Sequence, residues 1–133
     1  MLNNKINLLL IDDDDINIFI IKKIVEKTGF DINMTAKSNG QLAIDYLKDL
    51  IENNQPIPHL ILIDINMPVM NGWEFVEAYG TLGITQDVDL YILSSSVYEN
   101  DIEKTKSYSN VKGFISKPLS MERLTELLKE IKV

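Results

Sequence analysis

Residues 60 to 72 read Leu60-Ile-Leu-Ile-Asp64-Ile-Asn66-Met-Pro-Val-Met-Asn-Gly72. The apolar run Leu60 to Ile63 suits a short strand covered on both faces, and Asp64 stands where that run stops. From Gly72 onward, Trp73, Val76 and Tyr79 recur at helical spacing until Gly80 or Gly83 interrupts. The stretch therefore predicts a strand, a polar residue at its carboxyl end, a loop and a helix.

The same grammar extends in both directions. Ile6 to Ile11, the alternating Ile32, Met34 and Ala36, Val88 to Leu93, and Val111 to Ser116 are the other predicted strands, the second placed at a sheet edge by its alternation. Between them, Ile16, Ile20 and Ile24 predict a first helix, and Leu42, Ala43, Tyr46, Leu47 and Leu50 a second. Glu99 to Tyr108 has helical propensity but a thin apolar face. Met121, Leu124, Leu127, Leu128 and Ile131 form the stripe of a last helix capped by Ser120. A β-α alternation of this kind predicts a flavodoxin-like three-layer α/β/α fold, with a five-stranded parallel sheet of order 2-1-3-4-5 and five helices. No linker or repeat interrupts it, so residues 1–133 are expected to form one domain.

Composition narrows the function. The 133 residues, 45% of them hydrophobic, are enough for a core without staples, and the absence of Cys excludes disulfides, thiolate catalysis and cysteine-based zinc sites. Thirteen Lys plus Arg against twenty Asp plus Glu give a net charge of −7, the wrong sign for gripping a phosphate backbone, so no direct nucleic-acid partner is expected. After Met1 to Lys5, only six mostly apolar residues, Ile6 to Ile11, precede the aspartates Asp12 to Asp15, which is too short for a spanning helix or signal peptide. A cytoplasmic protein with no membrane contact is expected.

In sheets of this order, ligands bind beyond the carboxyl ends of the strands. The residues found there are Asp12 and Asp13, then Asp64, Ser94 and Lys117. Three carboxylates in one pocket repel each other unless a cation lies among them, and hard oxygen ligands suit Mg²⁺. A lysine and a hydroxyl opposite them supply donors for an anion, an arrangement that suits phosphoryl transfer. Asp64, on the central strand, is the best candidate for a carboxylate nucleophile.

With Asp12-Asp13, the run from Asp64 to Gly72, Ser94-Ser95 and Lys117-Pro118 in this order at four strand ends, the chain resembles the receiver domain of two-component response regulators over nearly its whole length. The resemblance is to single-domain, chemotaxis-regulator-like members. It implies that a histidine kinase or histidine phosphotransfer protein presents a phosphohistidine and that Asp64 takes the phosphoryl group. It further implies that Asp13 and Asp64 ligate Mg²⁺ directly, Asp12 through water and Asn66 through its backbone carbonyl, while Lys117 pairs with phosphoryl oxygens. Ser94 and Phe114 match the switch pair, which would alter the surface formed by the fourth helix, fifth strand and fifth helix toward an unidentified downstream protein. A monomer or a phosphorylation-dependent dimer is implied, with no enzymatic activity beyond its own phosphorylation and dephosphorylation. Asn66 and Ser96, two residues beyond Asp64 and Ser94, are small and uncharged, so an ordinary to fast spontaneous dephosphorylation is expected.

Plainer readings stand beside these. Asp14 and Asp15 suit a helix N-terminus, Phe114 suits a core aromatic as well as a switch, His59 is expected to be structural, and Trp73 a partly buried anchor. Two competing functions are a receiver-like interaction module that never turns over phosphate, and an aspartate-nucleophile phosphohydrolase. The second is disfavoured because Asn66 stands where that class carries a second acid.

Overall fold

The structure, a computed structural model, describes residues 5–65, 67, 69–95 and 99–131. Strands β1 (Ile6–Ile11), β2 (Ile32–Lys37), β3 (Leu60–Asp64), β4 (Asp89–Ser94) and β5 (Gly113–Ser116) alternate with helices α1 (Asp15–Lys27), α2 (Gly40–Glu52), α3 (Gly72–Gly80), α4 (Glu99–Lys106) and α5 (Met121–Glu130). All strand pairs are parallel and the order is β2-β1-β3-β4-β5, as the alternation predicts. β2 lies at an edge and is only partly covered, whereas every residue of β3 and β4 is buried.

The sheet separates two apolar layers because side chains alternate along each strand. Leu8, Leu10, Leu62 and Leu93 meet Ile21 and Val25 of α1 and Leu124, Leu127 and Leu128 of α5. On the opposite face, Leu9, Ile11, Ile63 and Ile92 meet Ala43, Ile44 and Leu47 of α2 and Phe75 and Val76 of α3. Four helices begin on a side chain that accepts a backbone N–H: Asp14 from Ile16, Asn39 from Leu42, Asn71 from Glu74 and Ser120 from Arg123. Each cap satisfies a donor that the first turn leaves unpaired. None of the described helices is long and apolar enough to cross a membrane.

The structure corrects three predicted stripes. In α2, Leu42 is exposed while Ala43, Ile44 and Leu47 are buried. In α1 the buried residues are Ile21 and Val25, while Ile16 and Ile20 are 72% and 46% exposed. This helix is apolar around much of its circumference, so spacing alone does not select the face that the strands cover. In α5, Met121 is also exposed, because the first residue of the helix lies beyond the edge of the core. Strand β5 begins at Gly113, two residues later than predicted, since Val111 N–H closes a turn onto the Tyr108 carbonyl. The thin face of α4 is compensated by buried Thr105 and by Tyr108 just beyond the helix, which stacks on Trp73 with ring centroids 5.6 Å apart.

Candidate functional site

The site starts where β1 stops. Asp12 N–H extends the ladder by donating to the Lys37 carbonyl at 3.0 Å, and its side chain is fully buried. Oδ1 of Asp12 accepts the Asp14 N–H at 2.9 Å, and Asp14 in turn accepts the Ile16 N–H at 3.0 Å. These two local turns swing the chain from strand into helix, which leaves Asp13 at the mouth between them. Asp13 is exposed and takes part in no hydrogen bond or ion pair among the described residues.

Asp64 is the last residue of β3 and is buried. The loop that follows returns at once, for Gly72 N–H donates to the Ile65 carbonyl at 3.1 Å. A Cβ on Gly72 would lie 2.6 Å from Ile65 Cα and 2.9 Å from the Asp64 carbonyl oxygen, so only glycine permits this approach. Gly40, at the start of α2, clamps the same loop from the other side by donating to the Met70 carbonyl at 3.3 Å. The backbone around Asp64 is thus held between the first turns of α2 and α3.

Ser94 ends β4, one residue past the register partner of Asp64, and is fully buried. Its carbonyl accepts the Lys117 N–H at 2.8 Å, which ties the chain beyond β5 to the end of β4. From there Lys117 Nζ reaches Asp12 Oδ2 at 3.1 Å and Asp64 Oδ2 at 3.3 Å. Burial alone would pull the Lys117 ammonium down, but the charges of Asp12 and Asp64 and the bonds they accept outweigh it and hold Lys117 above the ordinary lysine value. The Lys117-Pro118 peptide bond is cis.

Asp12, Asp13 and Asp64 each present a carboxylate oxygen, all within 4.8 Å of one another. Together with Lys117 they carry a charge of −2, and the carboxylate of Asp13 is left without a protein donor among the described residues. A hard divalent cation fits this donor set, because its three carboxylates offer hard oxygen ligands and their charge exceeds that of Lys117.

Of the residues predicted from the sequence, the structure brings Asp12, Asp13, Asp64 and Lys117 into direct proximity and sets Ser94 at the adjoining strand end. Phe114 lies in β5, half-buried against the layer that holds α2 and α3. Asn66 and Ser96 lie outside the described residues. His59 Nδ1 accepts the Asn7 N–H at 3.0 Å near the opposite ends of the strands, a structural part far from the acidic pocket. Trp73 is partly buried and committed to Tyr108, with Lys104 Nζ 5.0 Å from its ring centroid.

One site residue escaped sequence reasoning. Asn17, on the first turn of α1, donates through Nδ2 to Asp12 Oδ2, the oxygen that Lys117 also contacts. The available signal was spacing: three residues after the helix cap, a side chain on the first turn points back toward the strand end.

Comparison with known proteins agrees with this geometry. The family model described as response regulator receiver domain matches residues 8–129. A two-component response regulator from Cytophaga hutchinsonii superposes with a TM-score of 0.85 at 33% identity, covering 96% of this chain and 97% of that one. The probable methanogenesis regulatory protein FilR2 of Methanothrix harundinacea is 27% identical over 94% of this chain and 80% of its own length. The sensor histidine kinase CheAY of Helicobacter pylori is 31% identical over 91% of this chain, a match that spans 14% of the kinase.

Proposed function

The chain belongs to the response regulator receiver domain family, and from that premise we propose that Asp64 accepts the phosphoryl group through which it acts in two-component signalling. A carboxylate oxygen of Asp64 attacks the phosphorus of a phosphohistidine on a histidine kinase or histidine phosphotransfer protein. The P–O bond forms as the P–N bond breaks, and the departing imidazole nitrogen keeps the electron pair and takes a proton from solvent. Hydrolysis reverses the modification: water attacks phosphorus, the Asp64 carboxylate leaves, and inorganic phosphate is released. The chemistry carried out is confined to this self-modification.

Each residue has a stated part. Lys117 turns its ammonium to a phosphoryl oxygen, and the Ser94 hydroxyl donates to another. Asp13 and Asp64, with the Asn66 carbonyl and with Asp12 through water, would hold Mg²⁺, which would supply charge neutralisation for the phosphoryl oxygens. Movement of Ser94 toward the phosphoryl group vacates space into which Phe114 turns, and this biases the surface of α4, β5 and α5 toward a downstream protein. The site of action is cytoplasmic, where the kinase presents its phosphohistidine.

The observation that carries the reading is Lys117 bridging Asp12 and Asp64 beside the exposed Asp13 carboxylate, which places a lysine among three carboxylates at the ends of parallel strands. Incubation with acetyl phosphate and Mg²⁺, followed by intact-mass measurement, tests it. The chain gains one phosphoryl group and Asp64→Asn gains none. No gain in either supports an interaction module, and steady phosphate release from unrelated monoesters supports a phosphohydrolase.

A further inference from the structure

We propose that Asn17 is a positioning residue of the phosphoryl-transfer site: its amide keeps the buried Asp12 carboxylate in place when Lys117 turns from Asp12 to the incoming phosphoryl group. The inference rests on the reading of Asp64 as phosphoacceptor.

Asp12 is fully buried and its two oxygens divide their donors unequally. Oδ1 has the Asp14 N–H, while Oδ2 has both Asn17 Nδ2 and Lys117 Nζ. Two of the three ammonium hydrogens of Lys117 are engaged, one with Asp12 and one with Asp64. A phosphoryl group on Asp64 moves negative charge outward from that carboxylate, and the mobile ammonium follows it. If Lys117 were the sole donor to Oδ2, its departure would strand a buried carboxylate oxygen, a loss that opposes phosphorylation.

Asn17 removes that opposition because it cannot follow. Its short side chain is fixed to the first turn of α1, whose start is set by the Asp14 cap. The amide is neutral, so the phosphoryl charge draws it far less than it draws an ammonium. The double occupancy of Oδ2 is therefore redundant before phosphorylation and needed afterwards. A residue that served folding alone would show its effect in the unmodified protein.

The test compares the full chain with Asn17→Ala and Asn17→Asp by urea unfolding without Mg²⁺ and by the acetyl phosphate labelling rate at saturating Mg²⁺. For Asn17→Ala the unfolding midpoint stays near that of the wild type, because Lys117 still serves Oδ2, while the labelling rate falls about tenfold. Asn17→Asp, which replaces the donor by a like charge, falls further. If Asn17→Ala does not fold, Asn17→Leu fills the same space without a donor and is held to the same expectation. A labelling rate at saturating Mg²⁺ within twofold of the wild type in the alanine or leucine variant overturns the inference. Absence of labelling in the wild type would instead overturn the reading of Asp64.

Discussion

Replacing Lys117 by methionine keeps most of the unbranched side chain and removes its ammonium group. The ammonium lies 3.1 Å from one carboxylate and 3.3 Å from another, and the side chains of Lys117, Asp12 and Asp64 are 17%, 0% and 10% exposed. Removing one partner from a buried ionic group costs about 3–5 kcal/mol, because the remaining charges are left uncompensated. The residual solvent access at Lys117 favours the lower end, so Lys117→Met is expected to lose about 3 kcal/mol without a divalent ion. The pocket charge falls from −2 to −3 at the same time, so Mg²⁺ is expected to stabilise the variant more than the wild type. An ion present at a hundredfold its dissociation constant contributes about 2.7 kcal/mol by mass action, and the deficit narrows by the amount by which the variant's gain exceeds that of the wild type. Urea unfolding of both proteins in EDTA and in Mg²⁺ gives the four free energies required. The sign with pH is fixed as well: Lys117 is held above its ordinary 10.5, so its contribution persists from neutrality up to that value and fades as pH rises through the elevated one. Equal stability of variant and wild type in EDTA, with equal gains from Mg²⁺, would refute the reasoning.

Three further outcomes are expected. Gly72→Ala puts a methyl group 2.6 Å from Ile65 Cα, and the resulting shift of the Asp64 backbone should cost about 1–3 kcal/mol in urea unfolding and slow acetyl phosphate labelling at least about tenfold. Asn71 and Glu74 form a reciprocal cap at the start of α3, so Asn71→Ala should lose about 1 kcal/mol and Asn71→Asp only a few tenths, with labelling unchanged in the aspartate variant. Burial pushes the Tyr79 phenol up to about 12, so the stability it contributes is complete below the ordinary 10.0 and declines between those values. In ultraviolet titration Tyr79→Phe should remove a phenol that titrates near 12, and the wild type should lose of the order of 2 kcal/mol across that interval relative to the variant.

Elements whose burial is dictated by chain order were legible. The continuous apolar runs ending in Asp64 and Ser94 had to be central strands, and the alternation of Ile32, Met34 and Ala36 had to lie at an edge. Asp12, Asp64 and Lys117 were legible for the same reason, since parallel strands deliver their carboxyl ends to one side of a sheet. The facing of α1 was not legible: Ile16, Phe19 and Ile20 are as apolar as Ile21 and Val25, and the route from β1 decides between them. Asn17 was hidden because its significance lies in the direction of a first-turn side chain, whereas an Asn near a helix start reads as capping. The clamps at Gly40 and Gly72 were hidden because close backbone approach leaves no trace in hydropathy.

The central claim is that Asp64, rather than Asp12 or Asp13, carries the phosphoryl group. Acyl phosphates are reduced by borohydride to the alcohol, so labelling with acetyl phosphate and Mg²⁺, reduction, and peptide mass mapping locate the modified carboxylate directly. The expected result is homoserine at position 64 alone, with Asp12 and Asp13 recovered intact. Homoserine at position 12 or 13, or an unmodified peptide map from a chain that has gained a phosphoryl group, would contradict it.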